Sequence, residues 1–247
     1  MDATEIRKLA ALEDRHWWYR ERRILLDRDV RRMKPGRALD IGAAGGGNTR
    51  VLRARGWETV ALEYSTEGAQ VARERGLNVI QADARHIPLP DASMDLIVAF
   101  DILEHIPDDT SAAREIFRLL RPGGTALIAV PCDMRLWSDH DVAVNHVRRY
   151  DRSGLIELIE SAGLTVHEVE SWNVLLRPVA AWRRKKSSGS DLTELAAPVN
   201  AALGMVVAAE RYLPTSRMPG VSLRLRATRP GVTAGSSPPV PEVTAHV

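Results

Sequence analysis

The sequence predicts an α/β fold, a mostly parallel sheet with helices packed on it, and three observations carry that expectation. The segment LDIGAAGGG (39–47) takes an apolar run ending in Asp40 straight into glycines, which reads as a strand, a tight turn and a helix start. Beyond it, strand-like apolar runs alternate with stripes of helical period, and strands separated by helices pair in parallel. A chain of 247 residues with 45% hydrophobic content is long enough to bury one sizeable core.

Residues 1–35 read as an N-terminal helical cap, in which HWWYRERR (16–23) sets three aromatics among charges. After the glycine loop, WETVALE (57–63) is strand-like, Ser65 caps a helix that Gly76 ends, and LNVIQAD (77–83) is a short second run. SMDLIVAFD (93–101) reads as a buried strand, and Ala113, Ile116, Phe117 and Leu120 form a helical stripe stopped by Pro122, Gly123 and Gly124. TALIAVP (125–131) is a further strand. Leu155, Leu158, Ile159 and Ala162 repeat the helical spacing before Gly163, and TVHEVESW (165–172) is extended again. Residues 174–213 break the rhythm as a helical insertion, with a basic stretch RRKKSSGS (183–190) and an Ala-rich run, 195–209, that Pro198 and Asn200 are expected to interrupt. VSLRLRAT (221–228) alternates as a last strand and closes a domain spanning 36–228. The proline-rich remainder, 229–247, has almost no large apolar side chains and is expected to be disordered.

Charge and cysteine usage narrow the partners. The net charge is +2 from 34 basic and 32 acidic side chains, which is no field for nucleic acid. Cys132 is the single cysteine and cannot form an intrachain disulfide, and the first fifteen residues carry charges where a signal peptide needs an apolar stretch, so a cytoplasmic protein is expected. The apolar run 195–209 is shorter than the roughly 20 residues of a membrane span, although with its basic neighbour it suits peripheral contact with a membrane surface.

The ligand of the loop is indicated by Asp40. A dinucleotide fingerprint carries an apolar residue there and spaces its glycines G-x-G-x-x-G, whereas this chain has a carboxylate at that position and Ala44 in place of the second glycine. A carboxylate repels pyrophosphate and favours a ligand with a cationic end, and S-adenosylmethionine carries both an ammonium and a sulfonium.

Together with QADARHIPLP, AFDILEHI (99–106) and RLLRPGGTALIAVP, the loop resembles that of the class I S-adenosylmethionine-dependent methyltransferases. The resemblance covers about 36–173 and resumes at 221–228. It implies a Rossmann-like, mostly parallel seven-stranded sheet whose last strand is antiparallel. It implies cofactor contacts from Asp40, Gly42, Gly45 and Gly46 of the loop, and from Glu63, with Tyr64 beside it, on the ribose hydroxyls. Asp83 would take the adenine amine and the Ala84 N–H a ring nitrogen. Phe100, Asp101 and His105 would line the methionine end. HWWYRERR and LWSDHDVAVNHVRRYDRSGL (136–155) further resemble a bacterial subgroup of small-molecule enzymes.

The acceptor side rests on the residues' own chemistry. His140, His146 and Tyr150 follow the fifth strand, at the sheet edge where open α/β folds bind ligands, and are candidates for proton transfer or for a structural lid. Arg148 and Arg149 would fork onto an acceptor carboxylate or phosphate, or form a solvated face. Trp18 is read against packing and acceptor contact, and Tyr19 as a pocket contact. No metal is assigned, and the oligomeric state is left open. The expected activity is methyl transfer to an oxygen or nitrogen of a small molecule, such as a specialised metabolite. Two alternatives stay open: a cofactor-binding protein without turnover that uses 174–213 as an interface, and an RNA methyltransferase, for which only short basic clusters at 148–149 and 183–186 speak.

Overall fold

The computed structural model describes residues 7, 10–184 and 194–231. Its strands are β1 (Arg37–Ile41), β2 (Glu58–Glu63), β3 (Val79–Gln81), β4 (Met94–Phe100), β5 (Leu120–Pro131), β6 (Thr165–Trp172) and β7 (Ser222–Thr228). They form one sheet in the order β3-β2-β1-β4-β5-β7-β6. Pairing is parallel from β3 through β5, while β7 runs antiparallel between β5 and β6. The chain therefore reverses its direction of travel across the sheet between β1 and β4, and a crevice opens beyond their C-terminal ends.

Alternation along β4 explains why both sheet faces are covered. Leu96, Val98 and Phe100 point to one side, Ile97 and Ala99 to the other, and all are buried. On the first side they pack with α1 (Trp17–Val30) and α2 (Gly47–Ala54) through Leu26, Val30 and Leu52. On the second they pack with α4 (Asp109–Leu119) and α6 (Arg152–Ser161), through Ala113, Ile116, Leu155 and Ile159. Between them in sequence lie α3 (Thr66–Glu74) and the short α5 (Asp139–Ala143). The expected cap is thus more than a cover, since α1 contributes two core side chains to a layer of the domain.

Several sequence expectations shift at their edges. Leu120 does not end α4; it faces Met94 at the start of β5, and pairing resumes at Leu96 with Thr125, so the RPGG segment is a bulge within the strand. The Ala-rich run is not interrupted. It forms α8 (Ala197–Ala209), with Pro198 in the first turn, where a missing N–H costs nothing. Asn200, expected as a breaker, is a clamp: its carbonyl oxygen accepts the Trp17 N–H at 2.9 Å and its amide donates to Arg15 O at 2.9 Å. Arg211 adds a two-armed bond to Glu21 at 2.6 and 2.7 Å, and Trp18 stacks on Trp172 with centroids 4.4 Å apart. These contacts join the arm to the insertion and to the end of β6, and the insertion also contains α7 (Arg177–Arg184). No helix among the described residues is long and apolar enough to cross a membrane. Most of the basic stretch, at 185–190, and the tail from 232 lie outside the described residues.

Candidate cofactor and acceptor site

A cavity of about 660 Å³ lies over the crevice, within the ~300–1,000 Å³ range of ligand sites. Its floor is the C-terminal edge of the sheet, and its roof is α1 together with α7 and α8. Three strand-end residues on this edge, Asp101, Asp133 and Asn173, hold positive φ angles of 53°, 66° and 58°, a conformation non-glycine residues adopt at a cost.

The glycine loop and Glu63 build one end. Gly42 has φ +72°, and a Cβ there would collide with Ile102, so only glycine allows the loop to pass so close to the segment after β4. Ala44 adopts φ +45° and donates its N–H to Glu63 Oε2 at 2.9 Å. Glu63 Oε1 accepts the N–H groups of Tyr64 and Ser65 at 3.1 and 3.3 Å. The carboxylate is thereby fixed at the end of β2 with lone pairs left over, the requirement for receiving a vicinal diol.

Asp40 stands behind this loop and is not part of the cavity wall. Thr49 donates its hydroxyl to Asp40 Oδ2 at 2.6 Å, while Oδ1 is buried without a partner. Burial in this enclosed position pushes the carboxyl up to about 7. Because the folded value lies above that of the unfolded chain, the stabilising contribution is full below about pH 4 and is lost as pH rises through about 7, by up to about 1.4 kcal/mol per unit. Asp40→Asn removes this slope. The melting temperature of the ligand-free variant should therefore exceed that of the wild type at pH 8, and the gap should narrow toward pH 5. A gap that is constant with pH would contradict it.

The opposite end gathers the polar side chains that follow β4 and β5. Glu104 is fully buried, neither of its oxygens has a hydrogen-bond partner, and desolvation pushes it up to about 8. His146 Nδ1 lies 2.8 Å from Asp141 Oδ1, and its Nε2 lies 3.8 Å from Glu104 Oε1. His105 faces His146 edge-on with centroids 4.8 Å apart, places Nδ1 3.2 Å from Asn145 O, and is lowered to about 4, chiefly by burial. His140 lines the same wall, 6.1 Å from His146 between ring centroids. Asp141 is the organiser of this end: it accepts from Arg149 Nε at 2.8 Å and from the Ser138 N–H at 3.0 Å as well as holding His146.

The structure brings together Trp18, Tyr19, Gly42, Glu63, Tyr64, Phe100, Asp101, His105, His140, His146 and Arg149 along this cavity. It leaves other expected residues outside. Tyr150 is buried and donates its hydroxyl to Asp109 at 2.7 Å, which together with burial pushes its ionisation far up; it braces α4 and is no acid–base group of the site. Arg148 pairs with the same Asp109 and with Pro107 O instead of facing an acceptor. Arg149 does face the cavity and is not a solvated face: its Nε bonds Asp141 and its Nη1 bonds Cys132 O, while Nη2 has no hydrogen-bond partner. The Asp83 carboxylate is gripped by Arg85, which holds it below the usual range, and neither it nor Ala84 reaches the cavity wall. Gly45 and Gly46 turn away, where Cβ atoms would meet Glu13 and Leu77.

Sequence reasoning missed Glu13, Arg22, Asn173 and the insertion side chains Leu176, Val179 and Leu203, all of which line the cavity. Arg22 pairs with Asp101 and lies 4.8 Å over the Phe100 ring. Its signal in the sequence is only the buried stripe of α1, which gives no reason to expect a guanidinium at the strand end.

A family model described as "Methyltransferase domain" matches residues 39–128. A probable S-adenosylmethionine-dependent methyltransferase of Mycolicibacterium smegmatis is 30% identical over 169 residues, covering 66% of this chain and 65% of the relative. A ubiquinone biosynthesis O-methyltransferase of Pseudomonas fluorescens is 29% identical over 143 residues, covering 50% of this chain and 61% of the relative. The chain thus spans somewhat less than two thirds of the length of these relatives. Among solved structures, a putative methyltransferase from Haloferax volcanii, crystallised with the Trm112 methyltransferase activator, superposes with a TM-score of 0.61 at 23% identity, covering 92% of this chain and 98% of that one. Residues 39–128 thus match a methyltransferase domain, and the chain is similar in sequence to S-adenosylmethionine-dependent methyltransferases and shares the fold of solved methyltransferases.

Proposed function

We propose that this chain transfers the methyl group of S-adenosylmethionine to an oxygen or nitrogen of a small, largely apolar acceptor. The observation that carries the reading is the single continuous cavity, which joins the Glu63 carboxylate and the glycine loop to the histidine end. S-adenosylmethionine supplies an electrophilic methyl group on a sulfonium. Glu63, pre-set by three backbone N–H groups, receives the ribose hydroxyls. The backbone at Gly42 and Ala43 gives close approach, and Phe100 and Asp101 border the path toward the histidines.

Methyl displacement is an in-line reaction, so holding two molecules in register contributes most of the rate. The roof favours an apolar or aromatic acceptor, since Trp17, Trp18, Leu176, Val179 and Leu203 all face it. An acceptor that must lose a proton gives it up at the His140–His146 wall, where Asp141 fixes the imidazole of His146 through Nδ1 and leaves Nε2 3.8 Å from Glu104 Oε1. The relative from Pseudomonas fluorescens, named as an O-methyltransferase of ubiquinone biosynthesis, supports oxygen as the accepting atom.

The test is to incubate the protein with methyl-labelled S-adenosylmethionine and a fractionated extract of its host, and to find the labelled product by mass spectrometry. A labelled small molecule with an apolar or aromatic body is the expected result. Tight cofactor binding with no labelled product in any fraction would instead favour a protein that binds without turnover.

A further inference from the structure

We infer that Glu104, His105 and His146 form a binding site for a divalent metal cation at the acceptor end of the cavity. One donor atom from each of the three residues lies within 4.8 Å of the other two, and His146 Nε2 and Glu104 Oε1 are 3.8 Å apart. Metal–donor bonds of about 2.0–2.2 Å set ligand atoms roughly 3 to 4 Å apart, so side-chain rotations of about an ångström close the set around an ion.

Two further features point to a ligand and not merely to a cluster. The Glu104 carboxylate is fully buried, and neither oxygen has a hydrogen-bond partner. A group in that condition costs stability unless something compensates it; Arg22 and Arg149 act on its charge through space, yet neither hydrogen-bonds it, and their ion pairs are with Asp101 and Asp141. The second feature is the outer shell. His146 Nδ1 meets the Asp141 carboxylate and His105 Nδ1 meets the Asn145 carbonyl. Those oxygens can only accept, so each ring carries its proton on Nδ1 and presents a bare Nε2. A carboxylate or carbonyl behind each imidazole is the arrangement that orients histidine ligands in metal sites.

Two imidazoles and one carboxylate, with no thiolate, suit zinc, iron or manganese. Three protein ligands leave positions open toward the cavity. The role at those positions rests on the methyl-transfer reading: an acceptor bearing two neighbouring oxygens chelates the ion, which acidifies the hydroxyl bound to it. The hydroxyl proton passes to His140, which shares the wall. The oxygen forms the new bond to the methyl carbon as the carbon–sulfur bond breaks, leaving its electron pair on sulfur.

The binding test needs neither cofactor nor acceptor. Full-length protein freed of metal with a chelator is titrated calorimetrically with zinc, and in parallel with manganese and magnesium. One equivalent of zinc or manganese per chain is expected, weakened at least about a hundredfold in Glu104→Gln and in His146→Gln. Substitution with cobalt should give an absorption spectrum of imidazole and carboxylate coordination that both variants lose. Melting curves and S-adenosylmethionine titrations report whether each variant is folded, and His105→Gln, at the more open edge of the set, replaces any variant that is not. Absence of saturable binding, or equal binding by wild type and variants, would overturn the site. If zinc binds yet chelation leaves methyl transfer unchanged, the acceptor-activating role falls. A failure of S-adenosylmethionine to bind would fell the methyl-transfer reading without touching the metal titration.

Discussion

Replacing His146 by alanine should lower the turnover of methyl transfer about a hundredfold or more while leaving cofactor affinity nearly unchanged, because the imidazole lies at the acceptor end and away from the glycine loop. His140→Ala should also lower turnover, as the group that receives the proton. A residue that only closes the cavity behaves differently, raising the Michaelis constant for the acceptor with little change in turnover. Steady-state rates across pH, with cofactor titration as the control for folding, separate the two. Near-normal turnover and an unchanged pH profile in both variants would leave positioning alone to account for catalysis.

The second large effect belongs to Glu63→Ala, which should weaken S-adenosylmethionine binding by about 1 to 3 kcal/mol. The substitution removes the acceptor of the ribose hydroxyls and also the anchor of three N–H groups at Ala44, Tyr64 and Ser65. Glu63→Gln keeps most of the backbone bonds and should fall between. Unchanged affinity in both variants would place the ribose elsewhere.

What was legible in the sequence follows from how local each signal is. The strand–glycine–helix unit at 39–47 is written in adjacent residues, and the alternation of Leu96, Val98 and Phe100 with Ile97 and Ala99 shows directly as a continuous apolar run. Glu63, which the resemblance put at the ribose, does line the cavity, because the end of a strand is a local feature. Tyr150 and Arg148 were misassigned because residence on the right loop says nothing about which way a side chain turns, and both turn to Asp109, some forty residues earlier. Asp83 was placed by its motif, yet Arg85, two residues on, competes for its carboxylate.

The meetings between side chains of the site are assembled over long separations. Glu104 meets His146 across 42 positions of sequence, and the roof depends on Asn200 gripping the arm at Trp17, 183 residues away. No periodicity announces such meetings. Pro198 was read as a breaker because its place in the first turn of a helix becomes visible only once the helix is located.

On the methyl-transfer reading, S-adenosylmethionine lies between Glu63 and the histidine wall. A crystal structure of the protein grown with saturating S-adenosylhomocysteine tests it most directly. The expected density puts the ribose hydroxyls on the Glu63 carboxylate and the sulfur toward His105 and His146. Density for the ligand elsewhere, or an empty cavity beside tighter binding of NADH in solution, would contradict it.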